Sequence, residues 1–142
     1  MALKDSIRVR EVEGIRHPDP YGDPRLETDS LVTVLRYDVA IAEGGGRATL
    51  SFDLAYATHF GWPNDESLNG HRLYGNGLKP YAVQEVIPSD WVAEMESRNR
   101  SHPGHAASIF EGLRHIIIPF KDNTFECVFQ DLSITYDNGD QP

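Results

Sequence analysis

Arg47-Ala48-Thr49-Leu50-Ser51-Phe52-Asp53-Leu54-Ala55-Tyr56-Ala57-Thr58-His59-Phe60 holds the most regular pattern in the chain. Ala48, Leu50, Phe52, Leu54, Tyr56, Thr58 and Phe60 fall on one face, and Thr49, Ser51, Asp53, Ala55, Ala57 and His59 on the other. Side chains alternate across a strand, so this period of two predicts a single β-strand over 47–60 with its apolar face toward a core. Just upstream, residues 31–42 repeat the pattern, with Leu35, Tyr37, Val39 and Ile41 on one face and Arg36 and Asp38 on the other. Glu43-Gly44-Gly45-Gly46 lies between the two runs, and glycine supplies the positive φ that a reversal needs. The pair predicts a long antiparallel hairpin.

Outward from this hairpin the signals weaken. Residues 1–12 include Ile7-Arg8-Val9-Arg10-Glu11-Val12, enough for one edge strand. Residues 13–30 carry Pro18, Pro20 and Pro24, which read as a Pro-rich loop or arm because proline breaks ladders and helices. After Gly61 and Pro63 comes a loop with the turn dipeptides Asn69-Gly70 and Asn76-Gly77, then a short strand over 81–87. Ser89 is placed to cap a helix running to about Asn99, with Asp90 near its positive end. A second helix is expected to start near Pro103, with Ala106, Ile109, Phe110 and Leu113 at helical spacing. His115 to Phe120 and Thr124 to Phe129 form a hairpin around Lys121-Asp122-Asn123. Leu132 to Tyr136 is expected to extend or bulge its second strand, and 137–142 to fray. The sum is one α+β domain over 1–142: an antiparallel sheet of hairpins with two helices inserted before the C-terminal hairpin, covering one sheet face. The pattern admits an open sheet or a barrel-like closure.

Composition narrows the function classes. With 39% hydrophobic residues the 142-residue chain can bury a core. A net charge of −9 disfavours nucleic acid, whose phosphates select for Lys and Arg. No apolar run of membrane-spanning length occurs, and the charged N-terminus lacks a signal core, so neither a membrane span nor secretion is expected. The single cysteine, Cys127, cannot form an internal disulfide, which fits a reducing cytoplasmic setting.

Phe60-Gly61-Trp62-Pro63-Asn64-Asp65-Glu66, then Gly70-His71, then Gly77-Leu78-Lys79-Pro80-Tyr81 resembles a family of small uncharacterised bacterial proteins. In that family a Gly-x-Pro-Asn-Asp-Glu segment precedes Gly-His-Pro-Leu. The similarity continues through Ser89-Asp90-Trp91, through Asn99 with His102-Pro103, and through His115. It ends at Phe120-Lys121-Asp122-Asn123-Thr124-Phe125-Glu126-Cys127, beside the family's Phe-His-Asp-x-Thr-Phe-Glu-Cys. It covers roughly residues 56–130, and the combined motifs are specific. Arg72 departs from the family's Pro and Lys121 from its His, so a role for that histidine does not carry over. The resemblance implies a shared fold and site location, and brings no activity with it.

The loop 61–77 and its flanks concentrate polar and aromatic side chains. His59, Asp65, Glu66 and His71 are donor types that divalent metals take, yet no spacing rule holds them, and Asn64 and Asp65 after Pro63 equally suit a turn. No metal and no other cofactor is assigned. His102-Pro103-Gly104-His105 reads as a helix-initiating loop. Glu126 is expected near His115 across the C-terminal hairpin. That pair is suited to general acid–base work, or else to satisfying a buried ring. Cys127, between two phenylalanines, reads as a small core side chain. Trp62, Asn64, Tyr74 and Tyr81 are the candidate ligand contacts, with aromatic area either for a ligand or for loop packing. The leading expectation is a small molecule bound, or acted on by acid–base chemistry, at a polar pocket of loop 61–77. His59, Asp65, Glu66, His71, His115 and Glu126 are the candidate catalytic groups. The alternative is a non-catalytic interaction module, of inhibitor or immunity type, using an acidic surface.

Overall fold

The computed structural model describes residues 3–138. In order come α1 (Leu3–Ser6), β1 (Arg8–Glu11), β2 (Arg25–Thr28), β3 (Val32–Asp38), β4 (Arg47–Asp53), β5 (Ala57–Gly61) and β6 (Gln84–Ile87). Then follow α2 (Asp90–Asn99), α3 (Ser108–Glu111), β7 (Arg114–Pro119), β8 (Thr124–Phe129) and β9 (Asp131–Asp137). Among the described residues the strands make two antiparallel sheets, β1-β6-β7-β8-β5 and β2-β3-β4-β9. The fold is sheet-rich α+β, with two open sheets in place of one sheet or a barrel.

The β3–β4 hairpin forms as expected, pairing Val32 with Asp53 and Asp38 with Arg47. Gly46 in its turn has positive φ, and a Cβ there would collide with the Asp137 carbonyl. The single strand expected over 47–60 is instead two. β4 belongs to one sheet and β5 to the other, and the chain bends between them at Leu54, which takes a positive φ of 50°. A straight strand of fourteen residues would run about 46 Å. A folded chain of this length has a radius of gyration near 14 Å, so the strand must bend. The partner strand bends at the same place, since β9 pairs with β4 and β8 with β5. Leu54, Ala55 and Tyr56 stand opposite Phe129 and Gln130, which is one extra residue and hence a bulge. Ala55 turns toward the core while Leu54 and Tyr56 are exposed. The run 132–136 therefore does extend the preceding strand past a bulge, but into the other sheet.

The main core lies between the sheets. Leu35, Tyr37, Leu50 and Phe52 meet Ile116, Phe125 and Phe129, and the Phe52 and Phe129 rings contact edge-on at 4.8 Å between centroids. Each such buried side chain contributes roughly 1.5–3 kcal/mol. A second cluster sits on the outer face of the five-stranded sheet, where Val9, Val86 and Ile117 meet Leu68, Leu73 and Leu78 of the β5–β6 connection.

Other expectations need correction. The 13–30 arm is built into the fold: Ile15 is buried, Pro18 bridges to Val39, and β2 pairs with β3. The second helix is one turn, α3, starting at Ser108 and not near Pro103. Glycines at 104 and 112 leave too short a segment for a stable helix. Of the two helices, α2 packs against β7. Asp137 does not fray but pairs with Arg47. Asn138 is exposed and belongs to no strand, and residues 139–142 of the expected frayed tail lie outside the described residues.

Candidate functional site

β8 presents Glu126 on the outer face of the five-stranded sheet. Its register partners are His59 on β5 and Ile117 on β7, and His115 lies two residues along β7 on the same face. The β5–β6 connection and α2 roof this face, so the Glu126 side chain is only 4% exposed. A buried charge costs several kcal/mol unless it is paired. Here His115 Nε2 lies 2.7 Å from Oε1, and His71 Nε2 lies 3.1 Å from Oε2. Arg72 forks both oxygens, donating from Nη2 to Oε1 at 2.8 Å and from Nη1 to Oε2 at 3.0 Å. A carboxylate offers about four acceptor sites, and all are taken. Burial alone would raise its pKa. The hydrogen bonds from His115, His71 and Arg72, with the guanidinium charge, outweigh burial and hold Glu126 far below the usual carboxylate range.

The roofing segment is fixed from several sides. Asn64 Oδ1 caps the short 3-10 turn Asp65–Gly70 by accepting from the Ser67 N–H at 3.0 Å. The Asp65 N–H donates to the Lys121 carbonyl, and its carboxylate accepts from the Tyr81 hydroxyl. That bond, with burial, pushes the Tyr81 phenol up to about 12. Thr124 Oγ1 donates to the Pro63 carbonyl at 2.8 Å. These ties deliver His71 and Arg72 to Glu126. The Leu73 N–H points at His71 Nδ1 at 3.0 Å, so the ring carries its proton on Nε2 and offers it to Glu126.

From the other side, Ser89 Oγ caps α2 by accepting from the Val92 N–H at 3.0 Å and lies 2.7 Å from His115 Nδ1. Trp91 packs edge-on against the same ring. Asp90 receives Arg72 Nε at 2.6 Å. Arg72 thus bridges Asp90 on the helix and Glu126 on the sheet. Burial opposes its charge, and the two carboxylates more than restore it, raising its pKa above the ordinary value.

Between the roof and α2 opens a cleft of about 400 Å³, lined by His59, Trp62, Pro63, Gly70, His71, Arg72, Asp90, Trp91, Glu94 and Glu126. His59 sits at its rim with Nε2 2.9 Å from the Trp62 carbonyl, and Trp62 is 68% exposed. His59, Trp62, His71 and Glu126 of the expected residues therefore do converge, and His115 supports them from beneath. Asn64, Asp65, Glu66, Tyr74 and Tyr81 do not line the cleft. Asn64, Asp65 and Tyr81 are occupied in anchoring the roof, while Glu66 and Tyr74 are exposed. Sequence reasoning missed Arg72, Asp90 and Glu94. Arg72 was visible only as a departure from the family pattern, and Asp90 only as a favourable first-turn charge. Among the described residues no group of three His, Cys, Asp or Glu is arranged to hold a metal ion, and no helix is long and apolar enough to cross a membrane. No protein-family model, no curated protein and no solved structure matches the chain.

Proposed function

We propose that this chain binds a small molecule in the cleft between residues 59–72 and the first turns of α2. The observation that carries the reading is convergence. Trp62 and Trp91 offer aromatic area beside Arg72 and Asp90, in a hollow of about 400 Å³ whose floor is held rigid by the Glu126 network. Ligand sites commonly fall in this size range, with few fixed polar groups among aromatic walls. Binding takes precedence over proton transfer because Glu126, saturated with donors and held ionised, is a poor base. One observation favours an acid–base variant: His59 Nε2 is engaged by the Trp62 carbonyl, and no hydrogen bond engages Nδ1 among the described residues. In that variant His59 is the proton-transfer group.

The resemblance to the small bacterial family supports the same location. Its motifs run through β5, the roof, α2 and the β7–β8 hairpin, the elements that build the cleft. We place the protein in the cytoplasm on its single buried thiol, and expect neither nucleic-acid nor membrane partners. The interaction-module alternative rests on the net charge of −9. A thermal-shift screen of small molecules tests the cleft. Any hit should raise the melting temperature of the wild type and leave Trp62→Ala unshifted, while the unliganded variant melts as the wild type does. A hit that stabilises Trp62→Ala equally would place the ligand elsewhere.

A further inference from the structure

We propose that the cleft is selective for a small organic cation, an alkylammonium or alkylguanidinium whose stem lies along Trp62 and Trp91. The inference rests on the cleft being a binding site and names the chemistry it takes.

Charge is the first ground. The lining holds Asp90, Glu94 and Glu126 against the single guanidinium of Arg72, three negatives to one positive. The unused hydrogen-bonding capacity has the same sign. Glu126 contributes field only, since its four acceptor sites are filled. Among the described residues Asp90 Oδ2 accepts from Arg72 Nε alone. Glu94 pairs through Oε1 with Arg98, and its side chain stays 57% exposed, within reach of an incoming cation. Arg72 has little to offer an anion. Four of its five N–H groups already point at Asp90 and Glu126. An incoming carboxylate or phosphate would also stand beside two carboxylates. The walls supply the second ground. Indole faces attract cations and cover alkyl stems, and Trp62 is left 68% exposed at the mouth. So large an exposed aromatic in a cleft shared with Asp90 and Glu94 is what a cation with an apolar stem would complete.

The chain has two tryptophans and both line this cleft, so intrinsic emission reports occupancy directly. The test titrates the full chain with pentylamine, pentylguanidine, pentanol and pentanoate, which share a stem and differ in charge. Both cations should change the emission saturably and bind about tenfold tighter than pentanol, with pentanoate weakest. Comparing the two cations tells ammonium from guanidinium. Glu94→Gln should weaken the cations by about threefold and leave pentanol alone, and Trp62→Ala should weaken every probe. Glu94 lies on the exposed flank of α2, so its variant carries the test should Trp62→Ala fail to fold. Pentanol or pentanoate binding as tightly as the cations, with Trp62→Ala still weakening them, would overturn the cation selectivity and leave the cleft as a site. Emission unmoved by all four probes would overturn both.

Discussion

β4 and β8 are strands of similar length in antiparallel ladders, and each turns a face to the same core. β4 alternates, with Ala48, Leu50 and Phe52 buried and Thr49 and Ser51 half-exposed on the outer face. β8 is buried throughout, Phe125, Cys127 and Phe129 inward and Thr124, Glu126 and Val128 outward. Thr49 and Ser51 on β4 keep access to water. The polar residues of β8 lie beneath the roof, and each is matched: Thr124 to the Pro63 carbonyl, Glu126 to two imidazoles and a guanidinium. A sheet face covered twice cannot carry polar groups idly, and this is where the cleft has its floor.

The sharpest way to break this contrast is Glu126→Gln. Its amide would turn N–H groups toward donors that expect a carboxylate and leave Arg72 half-paired. The expected loss is about 3–5 kcal/mol in urea unfolding, and a loss no larger than at an outer β4 site would end the distinction. Acid gives the next effect. The pKa of Glu126 is depressed on folding, so its stabilisation is complete above the ordinary value of 4.5 and is lost as pH falls toward the depressed one. Wild-type stability should therefore drop steeply between about pH 5 and 2, and Glu126→Gln should flatten that drop. Ser89→Ala removes the α2 cap and the partner of His115, for an expected cost of about 1–2 kcal/mol in the same measurement. At the bottom of the scale, Ser51→Ala on the outer face of β4 should stay within about 0.5 kcal/mol of wild type.

Much of the frame was legible because it is local. Period-two patterning located β3 and β4, the glycines marked their turn, and Ser89 capped α2 as its position required. The His115–Glu126 contact was also readable, because hairpin register fixes which residues share a face. What escaped was set by distance. No local pattern marks Leu54 as the place where the chain changes sheets, since the alternation runs through the bend unbroken from Ala48 to Phe60. Asn64 and Asp65 looked like site residues because turn anchors and ligands use the same side chains. Arg72 and Asp90 meet only once α2 is docked. A carboxylate in a strand as apolar as Phe125 to Phe129 was nonetheless a sign that some cation had to arrive.

The bulged bend at Leu54 makes β4–β5 and β8–β9 one continuous ribbon, folded over the core like a strap. The molecule consequently has no parting line between its layers. Peeling the far sheet away means tearing the ladder that also carries Glu126 and His59. Arg47 and Asp137 at one end of the strap and the floor of the cleft at the other thus belong to one run of paired backbone.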